Sequence, residues 1–145
     1  MIDDRFWTRF FWAAALFNWV IGVPLMFLPE WTFGIAYFSD PAPAAMVINL
    51  WSDFGFCVAL IGVGYAIVAA DPAHNHGLVW LGIFAKLFDV VVLSSRWSVG
   101  IARPIVLLPA AIDGAFVLGF IVFLLIARRR ARAGGSNQAA DAGFE

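Results

Sequence analysis

Pro104–Ala127 reads PIVLLPAAIDGAFVLGFIVFLLIA, and Asp113 is the only charged side chain in it. A helix that crosses a membrane needs about 20 mainly apolar residues. The stretch begins with a proline, which suits the first turn of a helix. Four arginines follow it, at positions 128, 129, 130 and 132. The stretch therefore predicts a membrane-spanning helix that ends at a charged anchor.

Three further stretches of the chain have a similar character: Phe10–Leu28, Met46–Ala70 and Gly77–Ser94. The last is the least apolar, because it contains Lys86 and Asp89. Together the four spans predict an all-α fold, an integral membrane four-helix bundle that forms a single domain over residues 1–133. The segment 134–145 has mostly small and polar residues, and we expect it to be disordered.

The composition supports the same class of protein. Of the 145 residues, 63% are hydrophobic and 13% are charged, against about 45–50% and about 25% in average soluble domains. A soluble chain of this length could not bury so much apolar surface. The net charge of −1 gives no field that would attract nucleic acid. Membrane lipid is the predicted surrounding, and nucleic acid is excluded as a partner.

The arginines near the span ends predict the orientation. Four spans place both termini on one side, and that side carries six arginines, at positions 5, 9, 128, 129, 130 and 132. The opposite side carries Arg96 and Arg103, the two outer-loop arginines. Lys and Arg are enriched in cytoplasmic loops. We therefore expect both termini in the cytoplasm and the protein in a bacterial inner membrane.

Polar side chains inside the spans are the candidates for function, because a charge at the bilayer centre costs about 2.5–3.5 kcal/mol on insertion scales. Their depths agree, since all of them fall between the midplane and the outer third. The helix interfaces of membrane bundles are built from small and polar residues. The spacing therefore predicts one shared polar pocket, lined by Asn18, Asn49, Asp53, Lys86, Asp89 and Asp113.

The charges of this pocket do not balance within the spans. Lys86 and Asp89 are three residues apart and can pair on their own helix. Asp53 and Asp113 then lack a cation at their depth. Each must be protonated, bound to a cation from outside, or paired with one of the outer-loop arginines. Such carboxylates are suited to carrying a proton or a cation.

Two functions follow, and the sequence leaves both open. One is a bundle that binds or transports a small ligand, a proton or a cation. The other is an accessory or assembly subunit of a larger membrane complex, in which the polar cluster fixes packing. A homo-oligomer is compatible with either function.

An enzyme has the least support, because no catalytic residues are predicted. The loop Asp71–His76 favours a polar turn over a metal site, and no metal site is predicted elsewhere. The sequence does not identify a cofactor.

In size and span count the chain resembles small four-helix bacterial membrane proteins, among them the DoxX-like proteins and the small multidrug transporters. The multidrug family carries a glutamate in its first span. Here that span carries Asn18 and no acid, which argues against membership in that family.

Overall fold

The computed structural model describes residues 4–38 and 41–141, with side chains up to Arg130. The described chain is helical, with a short 3-10 turn, η1 (Pro104–Val106), before the last helix. The helices are α1 (Asp4–Phe27), α2 (Pro29–Ala36), α3 (Ala45–Ala70), α4 (His76–Ser98) and α5 (Leu107–Asp141). All but α2 are long and apolar enough to cross a membrane. This confirms the all-α prediction, and each of the four predicted spans, including the third, corresponds to a long apolar helix.

Proline and glycine set several helix ends. Pro29 follows Leu28 and opens α2, because a proline nitrogen cannot continue the hydrogen bonds of α1. After α3, the Asn75 side chain donates to the backbone oxygen of Asp71 at 2.8 Å and closes the turn into α4. Beyond α4, Gly100 adopts φ +75°, a conformation that L side chains rarely adopt. The apolar runs are thereby cut into separate helices.

Helices α1 and α3 pack backbone to backbone. A Cβ added at Gly22 would lie 2.7 Å from the backbone nitrogen of Ala59, and one added at Gly55 would lie 2.6 Å from that of Met26. Near this crossing the Ser52 hydroxyl donates to the Met26 carbonyl at 2.8 Å. Small residues allow this close approach, which is a feature typical of helix pairs in membranes.

Aromatic side chains fill the half of the bundle that lies near the chain termini. Phe11 of α1 stacks on Phe120 of α5 with centroids 5.4 Å apart, and Tyr65 of α3 lies 5.1 Å from Phe120. A Cβ at Gly82 would lie 2.5 Å from the Tyr65 ring, so this glycine lets α4 approach α3. All four long helices therefore contribute to one core.

Helix α2 closes the opposite end. Thr32 is buried and accepts a hydrogen bond from the Trp51 indole at 2.9 Å. Tyr37 pairs with Ala102 in an isolated antiparallel bridge. Its hydroxyl accepts from Arg96 at 2.6 Å, and its backbone oxygen accepts from Arg103 at 3.2 Å. Both outer-loop arginines thus bind Tyr37, not the carboxylates of the spans.

The first and last long helices meet at the terminal end, where Arg130 donates to Asp4 at 2.7 Å. The two ends of the apolar region therefore lie on the same side of the bundle, as the prediction of four spans requires. Helix α5 extends to Asp141. Residues 142–145 and the side chains beyond Arg130 lie outside the described part of the chain, so disorder over 134–145 stays a prediction.

Candidate functional site

Lys86 lies in the middle of α4 and forms a buried ion pair with Asp113 of α5. The ammonium also donates to Oδ1 of Asn18 on α1 at 3.1 Å. The exposed fractions are 3% for Lys86, 4% for Asp113 and 5% for Asn18. A buried charge is stable only when it is paired and hydrogen-bonded. Here the chain itself supplies both partners.

Three aromatic rings complete the surroundings of the ammonium. The Lys86 nitrogen lies 5.2 Å from the Phe17 centroid, 5.6 Å from that of Tyr65 and 5.1 Å from that of Phe116. A cation within about 6 Å of a ring face is attracted by the quadrupole of the ring. The charge of Lys86 is therefore held by one carboxylate, one amide and three rings.

Asn18 extends the network to the fourth helix. Its amide nitrogen donates to the backbone oxygen of Val58 on α3 at 3.0 Å, while its oxygen accepts from Lys86. The neighbouring Trp19 indole donates to Ala59 of α3 at 3.1 Å. One asparagine thus uses both ends of its amide and joins α3 to the Lys86–Asp113 pair.

A cavity of about 480 Å³ adjoins this network. It lies between the α1–α3 pair and the α4–α5 pair, on the side of the network that faces α2. Asn18, Lys86, Asp89 and Asp113 form its polar side. Its walls are apolar and mainly aliphatic, with aromatic side chains among them that include Phe17, Trp31, Trp51 and Phe54. Pockets for small ligands have this composition, with apolar walls and a few polar groups that fix orientation.

Asp89 is the second carboxylate at the cavity. It is half-buried, and the charges of Asp113 and Lys86 act on it. Within the described residues it has no hydrogen-bond or ion-pair partner. Lys86 therefore pairs with Asp113 on the neighbouring helix, where the sequence favoured Asp89 on its own helix. The cavity holds two carboxylates and one ammonium.

Four of the six residues predicted for the pocket do meet there: Asn18, Lys86, Asp89 and Asp113. Asn49 and Asp53 do not, because both are exposed. The face of α3 that packs against α1 is instead formed by Ser52, Gly55 and Gly62. Asp53 lies on the opposite face of the helix, so the single pocket predicted for all six residues is not formed.

Sequence reasoning missed Phe17 and Phe116, two of the rings around the ammonium. Phe17 precedes Asn18, and Phe116 lies three residues after Asp113, so both are close to residues that were identified. An aromatic residue in an apolar span is so common that its position gave no signal. Their role appears only when three helices are brought together around Lys86.

The loop between α3 and α4 forms a polar turn. The Nδ1–H of His74 donates to both carboxylate oxygens of Asp71, at 2.9 and 3.0 Å. This hydrogen bond holds the pKa of Asp71 below its ordinary value. Both side chains are exposed. The turn therefore has a local electrostatic contact of its own, separate from the cavity.

Comparisons with known protein families, curated proteins and solved structures gave no match to this chain.

Proposed function

We propose that this chain is a multi-pass membrane protein whose bundle binds a small lipophilic cation in the cavity between its two helix pairs. The observation that carries the proposal is the cavity of about 480 Å³, with apolar walls and two carboxylates against one ammonium on its polar side. Apolar walls that contain several aromatic rings, together with a surplus carboxylate, suit a ligand that is both apolar and positively charged.

In this proposal Asp89 is the carboxylate that binds the ligand, and Asp113 balances the charge of Lys86. Asp113 is held by Lys86, and Asp89 is the acid without a partner among the described residues. A cation entering the cavity finds Asp89 available, and a proton can take its place when the cation leaves. Exchange of a cation for a proton at one carboxylate would allow the bundle to transport the cation. The sequence predicted Asp53 as a carrier of a proton or a cation, and in this proposal Asp89 has that role.

Binding of tetraphenylphosphonium, a lipophilic cation, to the full chain in proteoliposomes tests the proposal. We expect saturable binding that Asp89→Asn weakens about tenfold or more, because the charged partner is lost. Asp53→Asn is the matched control, since it makes the same change on the exposed face of α3, and it should bind as the wild type does. Absence of saturable binding, or equal weakening by both variants, would contradict the proposal.

We propose further that the protein lies in a bacterial inner membrane with both termini in the cytoplasm. The six arginines at the terminal end, against two at the α2 end, support this orientation. Labelling of single cysteines in a Cys57→Ser background measures it. A cysteine at Ser98 should react with an impermeant maleimide added outside, and one at Ala73 should not; the reverse pattern would invert the orientation.

An accessory role in a larger assembly is the second candidate. The observation that favours it is the pair of exposed polar residues, Asn49 and Asp53, on α3. A polar side chain on the lipid side of a span indicates a contact with another chain. Co-purification of a stoichiometric, different protein from the native membrane would support this role.

A further inference from the structure

A second cavity, of about 350 Å³, lies at the terminal end of the bundle. It is separate from the larger cavity, because the two have no lining residue in common. Helices α1 and α5, the start of α4 and the turn before it surround this space, which we name the terminal cavity. Its polar side chains are Asp4, Trp7, His76 and Arg130. Its volume falls within the range of about 300–1,000 Å³ that is typical of small-ligand pockets.

Trp7 is the wall residue that most directly indicates a ligand. Its side chain is 3% exposed, and within the described residues its buried indole N–H has no acceptor. The indoles of Trp19 and Trp51, by contrast, donate to Ala59 and Thr32. A buried donor without an acceptor destabilises a protein, and such groups are rare in native structures. An acceptor brought by a ligand would satisfy the Trp7 donor.

His76 brings a second ring donor to the same wall. The rings of Trp7 and His76 both pack against Phe123 in T-shaped contacts, with centroid distances of 5.0 and 5.7 Å. An imidazole carries one N–H when it is neutral and two when it is protonated. His76 can therefore donate in either state. Phe123 thus holds two rings with N–H groups beside one cavity.

The terminal cavity also lies at the N-terminal ends of two helices. Helix α1 begins at Asp4 and α4 begins at His76, and the first N–H groups of a helix have no partner within it. The Asn75 side chain does not cap α4, because its amide donates to the backbone oxygen of Asp71. Helix N-termini carry a partial positive charge and bind anions, phosphates among them. The backbone therefore favours the same kind of ligand as the two rings.

The charges around the terminal cavity also favour an anion. Within the described residues Asp4 is the one acid that lines it, and Arg130 pairs with Asp4 at 2.7 Å. The same two helices, α1 and α5, carry four further arginines near this end, Arg5, Arg9, Arg128 and Arg129. The surroundings of the cavity are therefore positive overall, and its unsatisfied group is a donor.

We propose that the terminal cavity binds a phosphate group, whose oxygens accept hydrogen bonds from Trp7, His76 and the first N–H groups of α4. Helices α1 and α4 both begin at the ends of apolar spans, so in a membrane this cavity lies at the depth of the lipid headgroups. Basic pockets between membrane helices bind phosphorylated headgroups. An anionic phospholipid and a soluble phosphate offer the same chemistry to the site.

Native mass spectrometry of the full chain in micelles, titrated with dioleoyl phosphatidylglycerol, tests the proposal. We expect one saturable lipid adduct. Trp7→Phe keeps a ring but removes the N–H, and it should weaken binding about tenfold, because a hydrogen bond to a charged group is lost. Trp12→Phe is the matched control, since Trp12 is exposed on the same helix and does not line the cavity. It should bind the lipid as the wild type does.

A second substitution keeps the test valid if Trp7→Phe is unstable, which its unfolding temperature without added lipid would reveal. His76→Phe retains a ring against Phe123 and removes the ring N–H, so it should also weaken binding. Its matched control is His74→Phe, because His74 is exposed, bonds to Asp71 and does not line the cavity. The control should leave the affinity for the lipid unchanged.

Inorganic phosphate separates the two sources of the ligand. Displacement of the lipid by inorganic phosphate, with broadening of its phosphorus NMR line by the wild type but not by Trp7→Phe, would support a soluble phosphate. Retention of the lipid would support a headgroup. Dioleoylglycerol, which lacks the phosphate, should not give the adduct. Equal binding of dioleoylglycerol, equal effects of Trp7→Phe and Trp12→Phe, or absence of saturable binding by both phosphate probes would overturn the proposal.

Discussion

Lys86 shows at the scale of one residue why a charge can remain inside an apolar bundle. The ammonium has Asp113 and Asn18 as acceptors and three rings around it. A buried ion pair is a weak source of stability in itself, because the two charges give up their hydration. Breaking the pair is nevertheless expensive, since it leaves one buried charge without a partner. Substitution of one partner and substitution of both should therefore have different effects on stability.

Replacing Lys86 by methionine should destabilise the protein by about 3–5 kcal/mol, because Asp113 is then buried without a cation. Asp113→Leu should do the same by leaving Lys86 unpaired. The double variant Lys86→Met/Asp113→Leu should recover most of the loss, since no uncompensated charge remains. Unfolding measured in detergent micelles for the four proteins gives the coupling. Additive losses would show that the pair does not act as a unit.

Asp71 offers a prediction about pH outside the apolar helices. The hydrogen bond from His74 lowers the pKa of Asp71 in the folded protein. The ionised form therefore stabilises the fold at pH values above the ordinary aspartate pKa of about 3.9. That contribution is lost as the pH falls through the lowered pKa. Because both side chains are exposed, the effect on stability is small and the titration is the better measure.

We expect His74→Ala to raise the pKa of Asp71 toward its ordinary value. Carboxyl carbon chemical shifts in micelles, followed from pH 2 to 6 (about the range around an ordinary aspartate pKa), report that pKa directly. His76→Ala is the control, because His76 packs against Phe123 and not against Asp71. An unchanged titration of Asp71 in His74→Ala would show that the hydrogen bond does not set the pKa.

Helix α3 shows at the scale of an element what its sequence could and could not predict. Its length and apolar character identified it as a span. Two of its faces carry small or polar residues: one contains Asn49, Asp53 and Cys57, and the other contains Ser52 and Gly55. The sequence favoured the first face as the one inside the bundle, because an exposed carboxylate is the more costly group in a membrane. The structure packs the second face on α1, because glycine permits the closest approach of two backbones.

The two faces of α3 predict opposite effects of the same substitution. Gly55→Ala should destabilise the protein by about 1–3 kcal/mol, because its Cβ would lie 2.6 Å from the backbone of α1 and the helices must move apart. Gly64→Ala meets nothing within 4 Å. It should be neutral or slightly stabilising, since alanine favours a helix over glycine. Thermal unfolding of the two variants in the same detergent compares them. Equal destabilisation would contradict the described α1–α3 crossing.

At the scale of the whole molecule the two halves of the bundle differ. The half near the termini is filled by Phe11, Tyr65 and Phe120, whereas the half toward α2 contains the cavity. The sequence predicted the four spans and a polar cluster toward the outer side. It could not predict that Lys86 would pair across helices, because that pairing depends on how α4 lies against α5. It also could not predict that the half toward α2 would contain a cavity, since aromatic residues occur along all the spans.

The open half leads to a prediction that links stability to binding. A cavity leaves its lining without contacts on one side, so filling it should stabilise the fold by about 0.5–2 kcal/mol. Ile21 lies on the cavity wall, and Ile21→Trp places a larger ring there. We expect this variant to unfold at a higher temperature and to lose binding of tetraphenylphosphonium, because the ring occupies the space of the ligand.

Leu16→Trp is the matched control for this filling variant, because Leu16 is exposed on the same helix and does not line the cavity. It should leave both the unfolding temperature and the binding of the probe unchanged. A stabilised Ile21→Trp that still bound the probe would place the cation elsewhere on the protein. A destabilised Ile21→Trp would mean that the space is already occupied by side chains or lipid. Loss of binding with a gain in stability is the combination that only an open ligand cavity produces, because a site kept empty for a ligand forgoes the contacts that would stabilise the bundle.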